Sequence, residues 1–113
     1  MSEYDPLEAE QTQAAQADKA KRRAREEAED FRWLVGNKRG RRIVWRMLER
    51  AGVFRTSFET NAMATAFNEG RRDFGLYLLT SVQGARAETF GLMQTENAEH
   101  EQRDTDAADR NDQ

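Results

Sequence analysis

Cysteine is absent from this 113-residue chain, and proline and histidine occur once each. Without cysteine there is no disulfide framework and no thiolate metal site. Long hydrophobic runs are missing too. No apolar stretch approaches the roughly 20 residues needed to span a bilayer, and the acidic N-terminus lacks the character of a signal peptide. Aromatic residues are few, and hydrophobic residues make up only 37% against 35% charged. The whole length is therefore not expected to pack around one core. These absences point to a soluble protein of a reducing compartment with no membrane anchor.

Catalytic chemistry has equally little to work with. The single histidine, His100, lies in an acidic stretch, and Ser57 and Ser81 have no nearby base to activate them. Carboxylate pairs such as Glu26–Asp30 and Glu99–Glu101 fall on solvated segments. The loop "GNKRG" lacks the spacing of a phosphate-binding P-loop. The sequence points away from an enzyme, with no catalytic residue, no metal and no cofactor expected.

What is present is an uneven distribution of charge. Residues 1–30 carry five Lys/Arg against nine Asp/Glu, residues 31–72 carry ten against three, and residues 73–113 carry three against nine. A basic centre sits between two acidic flanks, so the question of a partner belongs to the middle third.

The hydrophobic periodicity is helical throughout, with no alternating strand pattern. Residues 7–35 read as one long helix opened by Asp5 and Pro6, with a thin stripe of Leu7, Ala14, Ala17, Ala20, Ala24, Ala28, Phe31 and Val35. Gly36 and Asn37 end it. A second helix is expected over 39–51, stopped by Gly52, with Ile43, Val44, Met47, Leu48 and Ala51 on one arc and Trp45 beside it. The connector "GVFRTSFETN" offers Val53, Phe54 and Phe58 as apolar pegs; Thr56 with Glu59 suits a capping box and Asn61 is a competing N-cap. A third helix runs from about 62 to 82, with Met63, Ala66, Phe67, Gly70, Phe74, Tyr77 and Leu78 on one face. Its segment "FGLYLL" is expected to be buried nearly all round, and Gly70 to mark a tight helix crossing. Residues 85–95 suggest a last short helix. From Glu96 the chain lacks large apolar residues and reads as a disordered acidic tail.

The expected architecture is all-α, with three to four helices. A helical arm covers 1–30, a compact core 31–95 and a disordered tail 96–113. Phe31, Leu34, Ile43, Trp45, Met47, Leu48, Phe67, Gly70, Phe74 and Leu78 are the expected packing residues. Lys38, Arg39, Arg41, Arg42, Arg46 and Arg50, with Arg71 and Arg72 on the next helix, form a basic ridge suited to a partner or to phosphates. Arginines one turn apart repel by a few tenths of a kcal/mol per pair, so solvent or an anionic partner must satisfy them. The open alternatives are that they pair with the chain's own acidic flanks or with another subunit.

The segments "RWLVGNKRGRRIVWRMLERAGVFRTSF" and "FNEGRRDFGLYLLTSV" together resemble a family of small helical tailed-phage proteins encoded near the portal gene. The family, a Bbp-type phage domain, is typified by a protein of a Bordetella podophage. The elements that carry the resemblance are Phe31 to Leu34, Gly40 to Arg42, Trp45, Leu48 to Gly52, Thr56 to Phe58, Glu69 to Arg72, Gly75 and Leu76. They span about 31–82, with a weaker echo through Phe90 and Met93. The resemblance implies a non-enzymatic morphogenesis protein, made in the host cytoplasm and carried in the virion. Its implied partners are portal or tail and ejection proteins, with a homo-oligomer in the particle and a ridge that faces either DNA, in non-specific contact, or an acidic portal surface. Two alternatives stay open: a small nucleic-acid-binding accessory factor, and an early phage protein that binds a host enzyme.

Overall fold

The computed structural model describes residues 3–55 and 61–111. The expected capping box of Thr56 with Glu59, the apolar peg Phe58 and the serine Ser57 lie outside these residues. Four helices make up the fold: α1 (Pro6–Leu34), α2 (Lys38–Arg50), α3 (Ala62–Ala85) and α4 (Thr89–Asn111). The chain is all-α with a long N-terminal helix.

Local chemistry fixes the helix starts. Asp5 accepts from the Leu7 amide at 3.0 Å, with Pro6 in the first turn. Asn37 accepts from the Gly40 amide at 2.8 Å, and Asn61 from the amides of Met63 and Ala64 at 2.8 and 3.2 Å. Each side chain satisfies backbone donors that a helix leaves orphaned. After α2, Gly52 takes a φ of 75°, where a side chain would be strained.

Only three residues, 35–37, separate α1 from α2, so the two helices meet closely. A Cβ on Gly40 would stand 1.7 Å from the Leu34 carbonyl oxygen. That contact fixes which side of α2 turns inward. Gly40, Val44 and Leu48 become its buried stripe, and the expected arc is rotated. Ile43 and Met47 end up exposed rather than in the core. Helix α3 meets α2 and its connector at Gly75, where a Cβ would lie 2.4 Å from Val53 Cγ2 and 2.6 Å from Ala51 Cβ. The tight approach expected at Gly70 thus falls at Gly75; Gly70 is exposed, with nothing within 4 Å of where its Cβ would be.

The core consists of Val35, Val44, Leu48, Leu78, Val82 and Met93, flanked by half-buried Phe31, Leu34, Trp45, Val53, Leu79 and Phe90. Helix α1 packs on α3, α2 on α3 and α4, and α3 on α4. Tyr77 donates to the Glu27 carboxylate, and Arg32 Nε donates to the Ala85 carbonyl at 3.3 Å. These two links show α1 and α3 running in the same direction along their C-terminal halves. Before Gly75 no residue of α3 is buried, although Ala64, Thr65, Asn68 and Arg72 are half-buried. Phe67 and Phe74 are exposed, as are Leu76 and Tyr77, and "FGLYLL" buries only Gly75 and Leu78.

The acidic segment after residue 95 is the other departure. It is not disordered, because α4 continues to Asn111. Met93 and Thr89 dock the start of α4 in the core, so the unfavourable nucleation of a helix is already met. Ala, Glu, Gln and Arg then propagate it without burial. With two projecting helices the radius of gyration is 21.4 Å, against about 13 Å for a compact domain of this length.

Candidate basic interface

The basic residues of the middle third divide into those the fold uses and those it leaves free. Arg41 is used. Its Nε pairs with Glu96 Oε1 at 2.8 Å, and its Nη1 donates to the Val35 carbonyl at 3.0 Å. Both side chains of the pair are 14% exposed. One guanidinium thereby closes the end of α1, anchors α2 and holds α4. Arg71 donates to Asn68 Oδ1 at 2.9 Å, and its guanidinium carbon lies 5.1 Å from the centre of the Phe67 ring. Arg72 is half-buried, with its Nε buried and lacking a hydrogen-bond partner. These three do not form one continuous ridge with the rest.

Lys38, Arg39, Arg42, Arg46 and Arg50 are exposed on α2. None makes an ion pair with a described residue; the pairs among the described residues are Arg41–Glu96 and His100–Asp104. They sit on the helix carrying Gly40, Val44 and Leu48, so their backbone positions are fixed by the core. No ion pair among the described residues offsets the repulsion between neighbours one turn apart.

Beside this row, a cleft between α2 and α4 is lined by Lys38, Arg41, Arg42 and Trp45 from one helix and by Met93, Glu96, Asn97, His100 and Arg103 from the other, with Glu96 paired to Arg41. Trp45 stacks on Phe54 at 5.0 Å and on Phe90 at 6.2 Å, closing the edge of the core. Its Nε1 is buried without a hydrogen-bond partner. His100 and Arg103 belong to the segment expected to be disordered. The recurrence Met93, Asn97, His100 continues helical spacing beyond the last large apolar residue, which was the available signal. A second omission is the block Lys19, Lys21, Arg22, Arg23 and Arg25 on α1. All five are exposed, and they vanish when charge is summed over the whole acidic arm.

This arrangement concentrates positive charge suited to holding anions. His100 is exposed at 3.7 Å from Asp104, one helical turn on. Among the described residues no group of three His, Asp or Glu is placed to hold a metal ion. No helix among them is long and apolar enough to cross a membrane.

Residues 31–94 match the model of a family described as Bbp19-like phage protein. No curated protein and no solved structure matches the chain.

Proposed function

The chain belongs to the family of Bbp19-like phage proteins, and we propose that it is a non-enzymatic structural or assembly protein of the phage particle. In this reading it sits at the portal vertex or the adjoining head–tail and ejection apparatus. The observation that carries the reading is the row Arg39, Arg42, Arg46 and Arg50, exposed on a core helix and unpaired within the described residues. A fixed row of guanidinium groups is suited to docking on carboxylates or phosphates and to no bond-making step. A portal ring, whose channel holds DNA, offers both. The two projecting helices, α1 and α4, add reach beyond the core.

Mass spectrometry of gradient-purified virions tests this, and several copies per particle are expected. Abundance in infected lysate together with absence from clean virions would overturn the virion assignment. The same row favours a second reading, contact with the DNA backbone. There, affinity should fall with salt at a log–log slope of about −0.9 per phosphate contacted, without sequence preference. Replacing Arg42, Arg46 and Arg50 together by Gln should flatten that slope and leave the fold intact. A row that binds no DNA at low salt but still retains portal protein faces protein.

A further inference from the structure

Helix α3 carries a face that its own chain leaves largely bare, with Glu27 of α1 meeting it at the Tyr77 hydroxyl. Met63, Phe67, Phe74 and Tyr77 are 83%, 66%, 62% and 50% exposed, on a chain whose mean hydropathy is −1.01. With Gly70 they recur at alternating steps of four and three, the spacing of a coiled-coil seam. Isolated apolar residues on a surface need no explanation, but a continuous face of them marks an interaction surface. Helix α1 reaches this face at Tyr77 but does not bury it, since its residues from 10 through 30 are exposed, Ala24 and Ala28 included. A glycine weakens the interior of a helix, yet Gly70 admits no neighbour in the monomer.

We propose that this face pairs with the same face of a second copy, the two α3 helices running antiparallel and crossing at Gly70. The sequence of the seam is nearly symmetric about that residue. Met63 and Tyr77 lie seven positions to either side, and Phe67 and Phe74 three and four. Turning one copy end over end sets Met63 against Tyr77, Phe67 against Phe74, and Gly70 against Gly70 on the two-fold axis. The contact is isologous and therefore closed. The missing side chains at the axis let the backbones approach while the rings on either side interlock.

Two arguments select this occupant and orientation. At about 200 Å² per large side chain, these exposures amount to roughly 500 Å² per copy and roughly 1,000 Å² per pair, the size a specific interface must reach. The parallel alternative would bring two copies of α1, which lies along α3 from Tyr77 to Ala85, to the same end of the seam, whereas the antiparallel one sets them at opposite ends. Helical periodicity puts Arg71 on one edge of the seam and Asp73 on the other. Antiparallel pairing sets each edge against its own kind, so added salt should tighten the dimer, the reverse of its effect on phosphate binding. The pairing does not depend on attachment to a phage particle.

Sedimentation velocity on the full chain should show a monomer–dimer equilibrium that shifts toward dimer with salt. The double variant Phe67→Glu with Phe74→Glu should associate at least 100-fold more weakly at an unchanged thermal midpoint, because both side chains are exposed in the monomer. Gly70→Leu should raise the monomer's helicity while weakening association at least tenfold, two effects of opposite sign. The chain's lack of cysteine allows a register test with oxidised glutathione. Gly70→Cys should form a disulfide-linked dimer, since a bridge requires Cα atoms within about 7 Å. Met63→Cys alone should not, whereas Met63→Cys mixed with Tyr77→Cys should. A monomer at all concentrations overturns the pairing. So does a dimer indifferent to Phe67 and Phe74, and so does self-linking of Met63→Cys, which would mean parallel helices.

Discussion

Every buried hydrophobic side chain among the described residues lies between Val35 and Met93, whereas α1 before Phe31 and α4 beyond Asn97 bury none. Both regions are helical, so burial is what separates them. The projecting helices are built from Ala, Glu, Gln, Lys and Arg and stand on propensity alone. The helices of the body are held by close approaches at Gly40 and Gly75 and by the core beneath them. Propensity supports a helix only marginally in water, while packing supports it by several kcal/mol. The family match, residues 31–94, coincides with the packed body. The recognisable pattern is therefore one of packing.

The largest effect expected from this contrast is at Leu48, which is fully buried. Leu48→Ala should lower the unfolding free energy by about 2–5 kcal/mol, read from urea denaturation. Deleting residues 1–24, a far larger change in the chain, should move the transition of the body by no more than about 0.5 kcal/mol, because residues 3–24 are exposed apart from half-buried Ala9. A deletion as costly as Leu48→Ala would make α1 an integral packing helix and erase the distinction.

A smaller effect sharpens the boundary within α4. Arg41 and Arg42 are neighbours in sequence, but only Arg41 reaches across to Glu96 and the Val35 carbonyl. Arg41→Ala leaves a mostly buried carboxylate unpaired and should cost about 1.5–3 kcal/mol. Arg42→Ala, at an exposed site, should stay within about 0.5 kcal/mol. Hydrogen exchange should show α4 loosening from Glu96 onward in the first variant alone. Equal costs for the two would mean that the Arg41 pair does not hold α4 to the body.

Much of this was legible because it is local. Asp5 with Pro6, Asn61 and Gly52 announce helix ends within two or three residues of themselves, and the structure uses each one; Asn37, read as ending α1, instead caps the start of α2. The all-helical class and the long first helix followed from periodicity and composition. Which face of each helix turns inward did not follow. On α2 it is decided by the Leu34 carbonyl beneath Gly40, and on α3 by Ala51 and Val53 beneath Gly75. These partners are known only once the helices are placed. The same reason hid the exposure of Phe67 and Phe74, whose spacing suits a core as well as it suits an interface. The end of α4 was missed because composition reports whether a segment can bury surface, and a helix already anchored at Met93 needs no further burial to continue.

The smallest expected effect lies at the seam between the two regions, where Tyr77 of α3 donates to Glu27 of α1. That hydrogen bond to a carboxylate, then local desolvation, then the negative charge of Glu27 together push the Tyr77 phenol above its ordinary value, with Ser81 opposing in part. A phenol raised on folding favours the folded arrangement below the unfolded value of about 10. Its contribution is lost as pH rises through the higher, folded value. Alkaline solution should therefore release the arm from α3 before it disturbs the core. In a Tyr4→Phe background Tyr77 is the only tyrosine, so absorbance at a tyrosinate wavelength reports it alone. Adding Glu27→Gln should move its titration to lower pH, because the replacement accepts a weaker hydrogen bond and carries no charge. The thermal midpoint at neutral pH should not change, since both side chains are exposed. Identical titrations with and without Glu27 would mean that the link does not persist in solution and that the arm leaves the body nearer Phe31.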